Sequence, residues 1–142
     1  MGELKNVTTY GAILGAVIAN LRTAKQLKQS DMAAAVGVGP STWSRLEKGE
    51  SPLTVDQLRL ASTALGESPS KIIDLAEVAV NEMVRKGVII DSSGEYDIFR
   101  SGAAIGATVG ITAGSVIPVV GTVLGAVIGA VLGSYMENLK GK

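Results

Sequence analysis

The chain has 142 residues, with 13 basic and 13 acidic side chains, and it contains neither cysteine nor histidine. Without these two residue types the chain has no disulfide framework, thiolate nucleophile, Cys/His zinc site or Ser-His-Asp triad. Most hydrolase and metalloenzyme classes are thereby excluded. We expect a protein that is not an enzyme and that needs no cofactor.

The start of the chain does not match a secretory signal. Residues 11–19 form an apolar run, but Glu3 precedes it and no small-residue cleavage site follows before Arg22. A signal sequence has a positively charged beginning and such a site. We therefore expect a cytoplasmic protein, and residues 101–136 are the part expected to reach the inner membrane if the protein associates with it.

The charges cancel overall but are unevenly distributed along the chain. Residues 20–49 contain five basic and two acidic side chains, whereas residues 50–77 contain two basic and five acidic ones. The first of these stretches is suited to face phosphate while the second faces away. An ordinary solvated surface with a chance imbalance is the alternative interpretation.

Two helices are predicted in the first third of the chain. Apolar residues three and four positions apart predict an amphipathic helix over residues 10–26, capped by Thr8 or Thr9. A short second helix is predicted over residues 29–36. Gly37-Val38-Gly39 ends it, because two glycines around one apolar residue favour a tight turn.

Local signals define the next helices as well. A third helix is predicted over residues 40–48, because proline suits the first helical position and Gly49 suits the C-terminal cap. Thr54 and Gln57 have the spacing of a capping box and open a fourth helix that ends near Gly66.

The sequence pattern changes after the fifth helix. Ser68 and Pro69 open that helix, which is amphipathic and ends at Gly87. Residues 88–99 then contain two β-rich runs on either side of Ser92-Ser93-Gly94. We predict a small β-hairpin or a linker over residues 87–100.

The last part of the chain is a glycine-rich segment. Residues 101–136 carry no charged side chain, and glycine recurs at every fourth position on either side of Pro118. Such spacing removes side chains from one face of a helix, so that another helix can approach closely. We predict a glycine-zipper helical hairpin over residues 101–136 and a polar tail over residues 137–142. The helix-packing glycines are Gly102, Gly106, Gly110, Gly114, Gly121, Gly125, Gly129 and Gly133.

The first half of the chain resembles the lambda-repressor-like family of bacterial and phage regulators, often called the XRE family. The matching residues are Leu21-Arg22-Thr23-Ala24-Lys25, Gln29, Met32-Ala33, Val36-Gly37-Val38, Ser44-Arg45-Leu46-Glu47-Lys48-Gly49, Leu58, Leu60-Ala61 and Ala64-Leu65-Gly66. The resemblance implies an all-α fold for residues 8–86, a five-helix helix-turn-helix domain that binds double-stranded DNA and regulates transcription.

The resemblance also implies roles for individual residues. The glutamine that opens the second helix contacts phosphate in this family, the third helix reads base edges, and an ion pair falls on Arg22 and Glu47. Arginine can bind guanine through two parallel hydrogen bonds, and helix N-termini favour phosphate. The candidate DNA-binding residues are Gln29, Pro40, Ser41, Thr42, Ser44, Arg45 and Lys48.

Three positions depart from the family pattern. Gly39 stands where the family prefers a Ser or Thr cap, and Pro40 replaces a residue that often has a long polar side chain. Trp43 stands where the family buries Ile or Val, so we expect it in the core. The remaining polar side chains of the helix are short, and we expect modest sequence readout that depends on Arg45.

Length leaves two interpretations of the tail. As one helix its 36 residues would be ~54 Å long, against a hydrocarbon core of ~30 Å. Folding at Pro118 gives two arms of ~17 residues and ~25 Å, at the short limit for a spanning helix. A membrane-inserting hairpin is therefore possible, but Gly, Ala, Thr and Ser drive insertion weakly. A water-soluble hairpin that joins copies of the chain is the other interpretation.

Two functional hypotheses follow. In the first, the chain is a transcriptional regulator whose tail forms a homo-oligomer or associates with membrane lipid. In the second, it is a membrane-active protein, pore-forming or toxin-like, and the helix-turn-helix head is a docking or regulatory module, because a fold alone does not determine function.

Overall fold

The computed structural model describes the backbone of residues 7–91 and 117–141 and, within the last helix, the side chains from Leu124 onward. This part of the chain forms six α-helices and two short β-strands. In chain order they are β1 (Val7–Thr9), α1 (Tyr10–Ala24), α2 (Gln29–Val36), α3 (Pro40–Lys48), α4 (Val55–Leu65), α5 (Pro69–Arg85), β2 (Ile89–Asp91) and α6 (Ile117–Lys140).

The five helices predicted before residue 87 are confirmed, together with the N-terminal caps of α1, α4 and α5. The Thr9 hydroxyl accepts a hydrogen bond from the Ala12 N–H at 3.1 Å. Thr54 and Gln57 form the predicted capping box with bonds of 2.9 and 3.1 Å. One boundary differs, because α1 ends at Ala24 rather than at Gln26. Gln26 adopts a positive φ of 59°, which is incompatible with continuing a right-handed helix.

The hydrophobic core is built around α1, which packs against α3, α4, α5 and α6. Its residues Ile13, Val17 and Leu21 are completely buried. Helix α2 packs on α3 and α4 at one side of this core. The spacing of apolar residues that predicted α1 therefore marks the side of that helix facing the core.

Helices α1 and α3 approach each other backbone to backbone. A methyl group on Gly15 would lie within 3.0 Å of the carbonyl oxygens of Leu46 and Glu47. One on Gly49, at the end of α3, would lie 2.5 Å from the Cα atom of Ala12. Only glycine fits at these two positions, so the two helices pack more closely than side chains would otherwise allow.

The two strands form a small parallel sheet. β2 lies in the segment predicted to be a hairpin or a linker, and it pairs with β1, with Val7 opposite Ile89 and Thr9 opposite Asp91. The run predicted to follow β2 lies outside the described residues, so the hairpin stays a prediction. The described fold is mostly α-helical, and this two-stranded sheet lies at the end of the core where α1 begins and α5 ends.

The last helix, α6, occupies the second half of the segment predicted to be a glycine-zipper hairpin. It begins next to Pro118, and it continues to Lys140, so the predicted polar tail is largely helical. The first arm of the predicted hairpin, with Gly102, Gly106, Gly110 and Gly114, lies outside the described residues. Within the described residues, none of the helices combines the length and the apolar character needed to cross a bilayer.

Residues 7–91 are called the head below. Helix α6 packs against α1 and α5 and extends the core of the head. Val127, Ile128 and Leu132 are buried in this contact. The glycine face points elsewhere: Gly125, Gly129 and Gly133 are exposed, and a Cβ atom on any of them would meet no described atom within 4 Å. The glycine repeat thus does not make the contact between α6 and the head.

A single aromatic side chain anchors the C-terminal half of α6. The Tyr135 hydroxyl donates to the Glu67 carboxylate at 3.0 Å, and the Lys71 ammonium lies 4.4 Å from the centre of the Tyr135 ring. Glu67 also pairs with Lys25, the residue directly after α1, at 3.2 Å. Desolvation and the adjacent Glu67 carboxylate raise the pKa of Tyr135, so the hydroxyl keeps its proton as the donor.

The contact of Gly49 with α1 predicts a difference between two glycine substitutions. Gly37 and Gly49 both have positive φ, at 78° and 74°, but no described atom lies within 4 Å of a Cβ on Gly37. We expect Gly37→Ala to lower the free energy of unfolding by about 1 kcal/mol through backbone strain alone. Gly49→Ala should lower it by at least about 3 kcal/mol, because the methyl group also collides with Ala12. Urea denaturation followed by circular dichroism measures both, and equal losses would contradict this account.

Candidate nucleic-acid interface

A three-residue turn joins α2 to α3 and sets the angle between them. Gly37 takes the left-handed conformation, and the Val38 N–H donates to the Ala33 carbonyl at 3.0 Å, which closes α2. Val38 packs against the core, and Gly39 is extended and is the N-cap of α3. Local hydrogen bonds and one apolar contact therefore hold the turn.

Helix α3 has one buried and one exposed face. Trp43, Leu46 and Glu47 are 0%, 4% and 7% exposed. The predicted DNA-binding residues of this helix fall on the other side, with Ser44 half-buried and the rest exposed: Pro40, Ser41, Thr42, Arg45 and Lys48. A short helix that presents polar and cationic side chains along its exposed length can enter a groove of DNA.

The N-terminus of α3 is open to an anion. Gly39 has no side chain with which to cap the helix, and Pro40 has no N–H. The N–H groups of Ser41 and Thr42 come next, and no side-chain cap is made there within the described part of the chain. Free N–H groups and the helix dipole both favour a phosphate at such a position.

The buried carboxylate of Glu47 holds α3 in place on the side opposite its exposed face. Its Oε1 accepts from Arg22 Nε at 2.6 Å and from Trp43 Nε1 at 2.7 Å. Its Oε2 accepts from Gln29 Nε2 at 2.9 Å and from Arg22 Nη2 at 3.3 Å. The Arg22 guanidinium donates in addition to the Leu27 carbonyl at 3.0 Å, in the connection between α1 and α2. One carboxylate therefore links α1, α2 and α3.

The ion pair implied by the family resemblance is present in the structure, as the bonds between Arg22 and Glu47. The side chain of Gln29, predicted to contact phosphate, is half-buried at the start of α2 and bonded to Glu47. Its contact with phosphate stays a prediction. Lys28, directly before it, is exposed.

Fewer cations are exposed on this side of the molecule than the five basic residues of residues 20–49 indicate. Lys25 pairs with Glu67, a residue of the acidic stretch, and Arg22 is engaged with Glu47. The exposed cations among residues 20–49 are Lys28, Arg45 and Lys48. Lys28 lies directly before α2, and Arg45 and Lys48 lie in the second half of α3.

Sequence reasoning missed two contributors to this scaffold. The first is the indole N–H of Trp43, which was expected only to pack in the core. Its separation of four residues from Glu47 on one helix was the available signal, because side chains four apart face each other. The second is Gly15, whose role depends on α3 lying against α1 and leaves no trace in the local sequence.

Residues 13–72 match the family model described as "Helix-turn-helix domain". Among solved structures, the chain is similar to the clp gene regulator ClgR from C. glutamicum, at 27% identity and a TM-score of 0.47, over 49% of this chain and 91% of that one. None of the curated proteins compared with the chain matches it.

The hydrogen-bond network around Glu47 predicts a large loss of stability when its carboxylate is removed. Glu47→Ala leaves the Arg22 guanidinium without its partner in a largely buried position, and we expect a loss of about 3 to 5 kcal/mol in unfolding free energy. Glu82→Ala is the matched control, because Glu82 pairs with Arg85 on the surface. That control should cost about 0.5 kcal/mol or less. Chemical denaturation compares the two, and a mild effect of Glu47→Ala would show that the network contributes little.

Proposed function

We propose that the chain is a sequence-specific transcriptional regulator of the XRE type that binds double-stranded DNA in the cytoplasm. The observation that carries this proposal is the two-sided α3, with Arg45 and Lys48 exposed on one face and Glu47 fixed on the other. The match of residues 13–72 to a helix-turn-helix model supports it independently.

In this proposal the exposed face of α3 enters the major groove. Arg45 is the one long side chain midway along the helix, and it is suited to bind guanine through two hydrogen bonds. Lys48 and Lys28 neutralise phosphates, and the open N-terminus at Ser41 and Thr42 holds another. Because the other exposed side chains are short, one head reads few bases and has modest specificity.

We propose further that the C-terminal segment brings several heads together. The glycine face of α6 is exposed at Gly125, Gly129 and Gly133, while its opposite face is packed on α1 and α5. A second helix can approach such a face closely. Paired heads would bind two half-sites about 34 Å apart and so multiply the weak readout of each one.

The second candidate function is that of a membrane-active protein, and the charge-free stretch of residues 101–136 favours it. Against it, Val127, Ile128 and Leu132 are already buried on the head. Exposing such side chains before insertion costs about 1.5 to 3 kcal/mol each. Docking on the head thus competes with insertion of α6 into lipid, and we favour the regulator.

Arg45 supplies the test of DNA recognition. We expect Arg45→Ala to weaken binding to the preferred duplex by about 1 to 3 kcal/mol and to reduce sequence preference. The preferred duplex is first selected from a random pool, and anisotropy titrations are then made over a range of salt concentrations. Arg85→Ala is the control, because it removes an exposed arginine on α5 whose ion pair lies on the surface. Equal affinity of wild type and Arg45→Ala would remove Arg45 from the interface, and no salt-dependent binding by the wild type would refute the function.

Gly129 supplies the test of assembly. A leucine at this exposed glycine fills the face to which a second helix would pack, so Gly129→Leu should lower the mass measured by light scattering. Asn138→Leu adds similar bulk at an exposed position of α6 outside the glycine repeat and should leave the mass unchanged. A monomeric wild type would refute the assembly proposal. Recovery of the intact protein in the membrane fraction, with leakage from liposomes, would favour the second candidate function.

A further inference from the structure

We infer that Trp43 is a positioning residue for phosphate recognition, acting through Glu47 on the amide of Gln29. This inference rests on the proposed DNA-binding function. Trp43 is 0% exposed and does not itself reach DNA. Its indole N–H fixes the Glu47 carboxylate, and that carboxylate orients the Gln29 side chain so that a second amide hydrogen is directed to a phosphate.

The first step of the argument is that the Glu47 carboxylate is saturated. A carboxylate offers about four acceptor positions, two on each oxygen. Here Oε1 accepts from Arg22 and Trp43, and Oε2 accepts from Arg22 and Gln29. Because every position is filled by a donor from a packed element, the carboxylate has a single orientation. Removing the indole N–H leaves Oε1 with an unfilled acceptor in a site that is 7% exposed, and the carboxylate can then rotate to compensate.

The second step concerns the amide of Gln29. A carboxylate oxygen can be contacted favourably only by the NH2 end of an amide, since the carbonyl end would repel it. The bond of 2.9 Å from Gln29 Nε2 to Glu47 Oε2 therefore determines which way the amide faces. One hydrogen of the NH2 group is used in this bond, and the other remains for a second acceptor.

The third step is the location of that second hydrogen. Gln29 is the first residue of α2, and its side chain is half-buried, so the amide lies at the boundary between the core and solvent. Lys28 is exposed directly before it. The Asp31 carboxylate accepts from the Lys28 N–H at 2.8 Å and offsets part of the positive end of the α2 dipole, so the ammonium of Lys28 supplies the attraction for a phosphate here. A phosphate attracted to this helix end finds a neutral donor that is already oriented.

An aliphatic side chain at position 43 would be buried without supplying a donor. Phenylalanine is the closest replacement, because it keeps an aromatic ring and loses the indole N–H and part of the ring system. Trp43→Phe therefore removes the hydrogen bond to Glu47 together with some buried volume, and a second variant is needed to control for the volume. Leu46→Ala is the matched control, because Leu46 is a buried residue of the same helix, 4% exposed, and no hydrogen bond joins its side chain to Glu47.

The test is a double-mutant cycle on DNA affinity. We expect Trp43→Phe to weaken binding about fivefold, the equivalent of one net hydrogen bond, on preferred and random duplexes alike. The dependence on salt should not change, because no charge is removed. In a Gln29→Ala background Trp43→Phe should have no further effect, whereas any effect of Leu46→Ala should be the same in both backgrounds. Effects of Trp43→Phe and Gln29→Ala that simply add, or no effect of Trp43→Phe, would overturn the inference.

A second measurement needs no DNA. Amide hydrogen exchange of the Gln29 NH2 group, followed by NMR, should become about fivefold faster in Trp43→Phe, and it should not change in Leu46→Ala. Unchanged exchange in Trp43→Phe would overturn the coupling even if affinity falls. An unmodified chain that binds no DNA would refute the proposed function and the phosphate contact together, whereas normal binding with additive effects would refute the inference alone.

Discussion

The rest of the head depends on the burial of one carboxylate. A carboxylate that is removed from water must accept hydrogen bonds in good geometry. Otherwise the free-energy cost of its burial exceeds the net stability of the fold. Glu47 of α3 meets this requirement only when Arg22 of α1, Gln29 of α2 and the indole of Trp43 are all in place. The relative positions of three helices are thereby restricted to one arrangement, and the orientation of the exposed face of α3 follows from it.

The same helix pair is restricted sterically as well as electrostatically. Gly15 and Gly49 bring the backbones of α1 and α3 together, and the Arg22–Glu47 bonds then span a gap set by that approach. A longer separation would lengthen the bonds to Glu47, and a shorter one is prevented by the backbones themselves. Close packing and hydrogen bonding therefore select the same geometry, which is the consistency expected of a well-specified fold.

The features that could be predicted from the sequence are those encoded locally. Pro40 and Gly49 bracket α3, and Thr54 with Gln57 opens α4, because caps depend on residues within one turn. The pairing of Val7 with Ile89 and the packing of Leu132 on the head depend on residues far apart in the chain. A three-residue strand is too short for the alternation of apolar and polar residues that would predict a pairing partner. The apolar pattern of α6 likewise does not indicate which surface the helix covers. At the site, position 43 was expected to be buried, but the direction of its N–H depended on tertiary packing.

The anchoring of α6 through Tyr135 has a thermodynamic consequence. One oxygen of the Glu67 carboxylate accepts from Tyr135 and the other pairs with Lys25, at the C-terminal end of α1, so the last helix and the end of the first share one acidic partner. A lipid surface or another chain that binds only detached α6 must first displace the helix from the head. Its affinity is therefore reduced by the free energy with which α6 docks on the head. The coupling is reciprocal, because each such ligand must in turn weaken the packing of α6 on the head. Detachment of α6 also removes Tyr135 from the Glu67 carboxylate, which then keeps only Lys25 as a partner.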